Sequence, residues 1–533
     1  MAILGLGAVT TALAALPYKA FDLDRYFVPK ELALHLTALI AATALLLGAR
    51  RLALTRVDTL LAAFLALSAL SATTATNGWA AARALAVTGS GLAIFWSARS
   101  LARAGHGRRL IAGIAAGVAA AAGAALLQAY GAHSDFFSLN RAPGGTLGNR
   151  NFVAHLAAIG TPALIFAMLT ARRPGRLFAG ALGTTVIAAV LVLSRSRAAW
   201  LALVVAACVA GPVAWRARSA WLNPVLIARS ALLAIAMLAG IIGAVTLPNV
   251  LHWKSQSPYL DSAFGVADYR EGSGHGRLVQ YGNTARLALH HPVLGVGPGN
   301  WSVAYPQIVQ PGDPSLDRDT GMTENPWPSS DWAAMLAERG VPAFLCLILA
   351  FVGLGVEAAR ATAAADRGGD GMLAGFALLA TLAVLCIVGA FDAVLLLPTP
   401  SLIGWSLLGT LNGMLEPPAT PRITVPLPRP AALALALIVA VAGIIAAARS
   451  AASGVAMAIF TDAESTGAIA AAARLDPGSY RIQIRLAALA ERRRQCDSVR
   501  AHAGRAHALY PDAPEPQRLL AACSITTRHS NPR

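Results

Sequence analysis

The run Ala431-Ala432-Leu433-Ala434-Leu435-Ala436-Leu437-Ile438-Val439-Ala440-Val441-Ala442-Gly443-Ile444-Ile445-Ala446-Ala447-Ala448 contains no charged side chain. Coiled as a helix it is long enough to cross most of a hydrocarbon core roughly 30 Å thick. Comparable runs lie at approximately 2–17, 32–49, 57–75, 80–98, 110–130, 152–170, 177–194, 198–215, 225–248, 332–356, 372–390 and 399–415, which makes thirteen candidate spans. Backbone polar groups in lipid must be satisfied within the segment, and runs of this length do so as helices, not as barrel strands. The predicted fold is all-α: a polytopic membrane bundle of about 12–13 transmembrane helices, with a large outward loop and a small C-terminal α-helical repeat domain.

Composition agrees with the spans. Of 533 residues, 56% are hydrophobic and 13% charged, with a mean hydropathy of +0.58. A soluble chain carries about a quarter charged residues. The net charge of +17 does not imply nucleic acid, because the arginines stand in short clusters between apolar runs, as orientation signals do. The first run, 2–17, has no basic leader and is read as a retained span. Cys208, Cys346 and Cys386 lie within spans as packing residues. No metal-ligand spacing occurs.

Arg50, Arg51 and Arg56 follow span two; Arg99, Arg103, Arg108 and Arg109 follow span four; Arg172, Arg173 and Arg176 follow span six; Arg216 and Arg218 follow span eight. All fall on one side if the N-terminus is cytoplasmic. The expected topology is therefore multi-pass, with the 249–331 loop and the C-terminal domain on the side away from the cytoplasm.

The expected domains are 1–448, the membrane domain, and 450–533. In the latter, Leu475-Asp476-Pro477 recurs as Leu509-Tyr510-Pro511, and Leu486-Ala487 as Leu520-Ala521, each 34 residues on. That is the period of a tetratricopeptide helix pair, with a generic helical hairpin domain as the alternative. Outside the cytoplasm, Cys496 and Cys523 either pair or remain two independent buried thiols.

Three outward elements combine arginine with small polar residues. Ser196-Arg197 opens span eight, where Arg197 either binds a ligand or snorkels to headgroups. Gly276-Arg277 begins an amphipathic helix over 277–290, with apolar positions at Leu278, Tyr281, Ala285, Ala288 and Leu289. It is expected to lie along the membrane surface. The glycines after it allow a tight loop whose amides approach an anion. Glu324-Asn325-Pro326-Trp327 leads through Ser329, Ser330 and Asp331 to Glu338, an acid within a span, for which Arg339 is the nearest partner. Asp392, at the outer end of span eleven, reads as an interfacial acid solvated by headgroups and water.

Gly148-Asn149-Arg150-Asn151, Ser196-Arg197, Gly276-Arg277, His291-Pro292-Val293-Leu294-Gly295-Val296-Gly297 and Ala337-Glu338-Arg339-Gly340 occur in this order. Together they resemble the O-antigen ligase and O-antigen polymerase family of bacterial membrane glycosyltransferases, over about residues 1–420. The resemblance implies transfer of a glycan from an undecaprenyl diphosphate carrier to a glycan or lipid acceptor. It implies no cofactor, metal or nucleotide, because the donor is already activated. Arg197 and Arg277 match the family's diphosphate-binding arginines, and a guanidinium suits that task because it stays charged and binds in a bidentate way. Arg150, Asn149 and His291 are further site candidates. The family's histidine base is expected nine residues before Glu338, where this chain has Ser329. Asp331, followed by Glu324, is the expected replacement, and His275 and His290 are also available. A transporter, or a non-catalytic lipid- or glycan-binding protein, is the rival reading. The terminal repeat would dock a protein or a glycan.

Overall fold

The computed structural model describes residues 1–138, 141–216, 223–253, 257–264, 272–310, 312–364, 369–415 and 423–529. The chain opens with α1 (Ala2–Leu13), α2 (Asp24–Gly48), strand β1 (Arg51–Leu54), α3 (Arg56–Ser71) and α4 (Gly78–Leu101). There follow α5 (Gly107–Ala129), α6 (Arg150–Leu169), α7 (Pro174–Ser194), α8 (Arg197–Arg216) and α9 (Pro224–Thr246). The long polar segment contains α10 (Pro258–Phe264) and α11 (Gly272–His290). The bundle resumes with α12 (Asp331–Ala364), α13 (Asp370–Phe391), α14 (Pro398–Met414), strand β2 (Ile423–Pro426) and α15 (Arg429–Thr461). Four short helices finish the chain: α16 (Thr466–Leu475), α17 (Tyr480–Arg492), α18 (Cys496–Leu509) and α19 (Pro514–His529).

Each of the thirteen apolar runs coincides with a helix, α1–α9 or α12–α15. Ten helical runs among the described residues are long and apolar enough to cross a membrane. One of these, Gly78–Ala129, has 52 residues, more than twice what a single crossing needs. Its backbone leaves helical geometry at Gly105 (φ +85°), which divides it into α4 and α5. α14 has 17 residues, nearly all buried, and reaches only about 25 Å. A helix enclosed by other helices contacts protein, so its length need not match the lipid.

Successive helices alternate in direction, which defines two faces. One, the loop face, carries the 130–149 and 249–331 segments and the C-terminal helices. The opposite, basic face carries the arginine clusters. Arg218 lies outside the described residues. On the basic face β1 pairs antiparallel with β2, Arg51 opposite Pro426 and Leu54 opposite Ile423, a two-stranded clip that the all-α expectation omitted. Cys208 and Cys386 are exposed on the bundle surface and do not pack in its core.

The C-terminal helices form two pairs. The repeated Leu475 and Leu509 each end the first helix of a pair, and the second helices begin at Tyr480 and Pro514, 34 residues apart. Ile484, Ala487, Val499, Ala503 and Leu519 pack between the pairs, and Cys496 is bonded to Cys523. This unit sits on the loop face: the Asn77 amide donates to Leu509 O (3.2 Å) and the Gln307 amide to Asp512 (2.8 Å).

Candidate active site

Helix α6 begins where Gly148 adopts φ +79° against the Tyr26 ring, a position in which a Cβ would stand 2.5 Å from that ring. Asn149 then caps the helix, its side chain accepting from Asn151 N–H at 3.0 Å. This start fixes Arg150 at the first helical position. Its guanidinium lies 5.0 Å from the centre of the Trp253 ring, and that of Arg195 lies 4.7 Å from the same ring. An indole between two guanidiniums is attractive to both through its negative faces. Arg195 ends α7 in a left-handed conformation (φ +54°) and donates to Ser262 Oγ at 2.8 Å. Burial, and then the neighbouring charge of Arg197, hold it below its ordinary pKa, while Asp261 opposes them.

One residue on, Ser196 is buried with its hydroxyl 3.4 Å from His155 Nε2. The other ring nitrogen of His155 faces the Asp392 carboxylate at 3.8 Å, beyond hydrogen-bond distance, and makes no hydrogen bond. Asp392 follows α13, and its side chain is only 14% exposed. Burial pushes its pKa up to about 6, against the pull of Arg277 and Arg141. The charge of Arg277 is felt by both His155 and Asp392. Arg277 and Arg141 act on Asp392, Arg141 and Arg195 on Arg150, and Arg197 on Arg195, so the five guanidiniums form one connected cationic patch, called the bay below.

Helix α11 is held so that Arg277 faces this bay. Its buried stripe is Gln280, Asn283, Thr284, Leu287 and Ala288, whereas Leu278 and Leu289 point outward (51% and 77% exposed). The stripe is thus rotated from the apolar face read in the sequence, because hydrogen bonds fix it as much as apolar contact does. Gln280 accepts from Ser329 N–H (2.6 Å), the Asn283 amide donates to Asp313 (2.8 Å), and the Trp301 indole donates to Thr284 (3.0 Å). Tyr281, one turn after Arg277, has its hydroxyl 2.7 Å from the carbonyls of Ser329 and Ala390. It thereby ties Arg277 to the end of α13 and so to Asp392.

The other sequence-expected residues lie elsewhere. Asp331 is fully buried, and its carboxylate accepts the N–H groups of Val394 (2.9 Å), Leu395 (2.8 Å) and Leu396 (3.4 Å). It holds the 392–397 loop and does not open onto the bay. Glu324 is exposed and lines a different compartment, which Asp24 and Arg83 also line. His291 is exposed past the end of α11, where its carbonyl accepts from Gly295 N–H at 3.0 Å.

The glycine loop does hold an anion, the protein's own. Glu338 accepts from Gly299 N–H (2.8 Å) and Trp301 N–H (3.2 Å). Val296 and Gly297 donate to the carbonyls of Ala337 and Glu338 at 3.0 and 2.9 Å. That pairing requires α12 to unwind at Gly340 (φ +76°), where a Cβ would meet Val293 O at 2.1 Å. Arg339, expected to partner Glu338, instead donates to Ser68 (3.3 Å) and Thr88 (2.8 Å) and stacks on Phe64.

His155 was missed in the sequence. Its signal was a lone ionisable side chain inside an apolar span, five positions after Arg150. Asp392, read as a solvated interfacial acid, is instead largely enclosed.

These features define a multi-pass membrane protein with a strongly cationic bay at one face. The model of the O-antigen ligase family matches residues 181–348, from within α7 through the long segment and into α12. Over that stretch, which contains Arg195, Ser196, Arg197 and Arg277, the chain is similar to the O-antigen ligase family. No curated protein matches the chain.

Proposed function

We propose that the chain transfers a glycan from undecaprenyl diphosphate to a hydroxyl acceptor in the periplasm, with Arg197 and Arg277 holding the diphosphate. The observation that carries this reading is a connected patch of five arginines, two of which, Arg277 and Arg141, act on the enclosed Asp392 beside His155. The acceptor oxygen attacks the anomeric carbon, the carbon–oxygen bond to phosphate breaks, and the diphosphate leaves with the bonding electrons. Guanidiniums stabilise the charge that develops on the leaving oxygen. The acceptor's proton passes to the Asp392 carboxylate, for which Asp331 has no free oxygen facing the bay. A base with a pKa near 6 ionises at neutral pH and still has appreciable proton affinity. His155 positions Asp392 and Ser196. Arg150 and Asn149 complete the cationic rim.

Periplasmic placement of the bay is supported by the arginine clusters on the basic face and by the disulfide between Cys496 and Cys523 on the loop face. The paired C-terminal helices are read as a tetratricopeptide-like unit that docks a glycan or protein. In membranes supplied with lipid-linked glycan, Arg197→Ala and Arg277→Ala should each leave the donor unconsumed while the protein inserts normally. Donor turnover surviving both changes would falsify the reading.

A further inference from the structure

A second compartment, of about 1600 Å³, lies between α2, α4 and α15. It runs from the basic face, near Arg103, to the loop face, near Tyr510. Its middle is lined by small side chains such as Ala38, Ala86 and Ala446. The polar pair there, His35 and Ser90, is already matched at 2.8 Å. One wall belongs to α15 and part of the rim to the C-terminal helix pairs, both beyond the O-antigen ligase match at 181–348. Leu396 and Leu397 also line it, so the 392–397 loop separates this compartment from the arginine bay.

The two compartments differ in charge. At the rim of the second, Arg83 donates to Asp24 at 2.8 Å and pairs with Glu31 at 2.9 Å. Arg449 stacks 4.7 Å from the centre of the Trp79 ring, and Asp476 acts on both arginines. With Asp22, Glu324 and Arg481 also lining this end, five carboxylates stand with three guanidiniums. In the bay, Arg277 and Arg141 act on Asp392, and Arg150, Arg195 and Arg197 continue the cationic patch. A diphosphate brought to the second rim would meet cations already neutralised and carboxylates that repel it. An uncharged head bearing hydroxyls would find acceptors in those carboxylates and apolar ring faces in Trp79 and Tyr510. Long apolar chains suit the middle.

We infer that this compartment binds an amphiphile with long apolar chains and an uncharged, hydroxyl-bearing head, and that this amphiphile is the acceptor. The chain is then a ligase, and not a polymerase that engages two diphosphate carriers. The inference rests on the bay being the donor site. The acceptor hydroxyl, rising at the rim, reaches across the 392–397 loop to the anomeric carbon and loses its proton to Asp392.

Native mass spectrometry of the delipidated full-length protein tests this, with undecaprenyl diphosphate and monoglucosyl diacylglycerol as probes. The wild type should retain one of each. Ala446→Trp, which fills the compartment, should lower glycolipid retention about tenfold or more and keep undecaprenyl diphosphate. Arg277→Ala should do the reverse. If Ala446→Trp does not fold, Ala86→Leu serves in its place. Two undecaprenyl diphosphates per wild-type chain would overturn the inference. So would unchanged glycolipid retention in the filled variant, or equal retention of phosphatidylglycerol. Undecaprenyl diphosphate retained by Arg277→Ala would instead sink the donor-site reading, and the glycolipid measurement would still be interpretable.

Discussion

Replacing Asp331 by alanine removes the acceptor for three backbone donors at once. Oδ1 takes Val394 N–H at 2.9 Å and Leu396 N–H at 3.4 Å, and Oδ2 takes Leu395 N–H at 2.8 Å. The longest contact counts for little, and the other two are charge-assisted. An orphaned buried N–H costs about 1–3 kcal/mol, so Asp331→Ala should lose about 2–6 kcal/mol. Asp331→Asn keeps one acceptor oxygen and turns an NH₂ toward the remaining donor, which halves the loss to about 1–3 kcal/mol. Melting followed by tryptophan fluorescence in detergent should rank wild type above Asp331→Asn, and that above Asp331→Ala. Both variants should also slow donor turnover, because Asp392 rides on the loosened loop. Asp392→Asn should keep the wild-type midpoint near pH 4, where the acid is protonated in both states, and lose turnover at neutral pH. The reasoning fails if Asp331→Asn melts like wild type yet is inactive, while Asp392→Asn transfers glycan normally.

Three further outcomes are expected. Burial raises the Asp392 pKa to about 6, so the protonated acid is the form the fold favours. Its contribution to stability is full below the ordinary carboxylate range near 4 and is lost as pH rises through about 6. Turnover has the opposite sign: kcat/KM should fall about tenfold per pH unit below 6. Asp392→Asn should melt higher than wild type at pH 8 and equally at pH 4. Glu338→Ala strands the amides of Gly299 and Trp301 and should cost about 2–6 kcal/mol, with earlier proteolysis in 292–300 as the readout; unchanged cleavage would count against the loop's dependence on this acid. Reducing Cys496–Cys523 reopens a loop closed across 27 residues and should cost the terminal helices about 3.5 kcal/mol. Limited proteolysis should then cut within 496–523 and leave the bundle intact.

The membrane bundle was legible because lipid imposes one rule on the backbone, and sequences such as 431–448 obey it without exception. The alternation of the helices was equally readable, since the clusters Arg50–Arg56, Arg99–Arg109 and Arg172–Arg176 all follow even-numbered spans. The β1–β2 clip was not, because four residues of Arg51–Leu54 carry no pattern that separates them from loop. In the site, Arg150 and Arg197 could be singled out because each opens a helix on the loop face, and Arg277 because it follows Gly276 ahead of an amphipathic stretch. Asp331 was preferred over Asp392 by its nearness in sequence to the departed histidine, whereas the deciding fact is three-dimensional. The 392–397 backbone wraps over Asp331, consumes its oxygens and carries Asp392 outward. The glycine loop misled in the same way, because its amides are aimed at Glu338, about 40 residues further along. Which of two acids has its oxygens occupied by backbone donors depends on what the chain wraps around it, and periodicity does not encode that.

Helix α15 runs unbroken for 33 residues, a rod of about 50 Å, from the two-stranded clip at one membrane face to the disulfide-bonded helix pairs beyond the other. With its foot pinned by the clip, it acts as a lever. A tilt of about 5° about that pivot would carry the far end sideways by about 4 Å. Anything that grasps the terminal helices can therefore widen or narrow the space beside α4, across the full thickness of the bilayer, without unfolding a single turn.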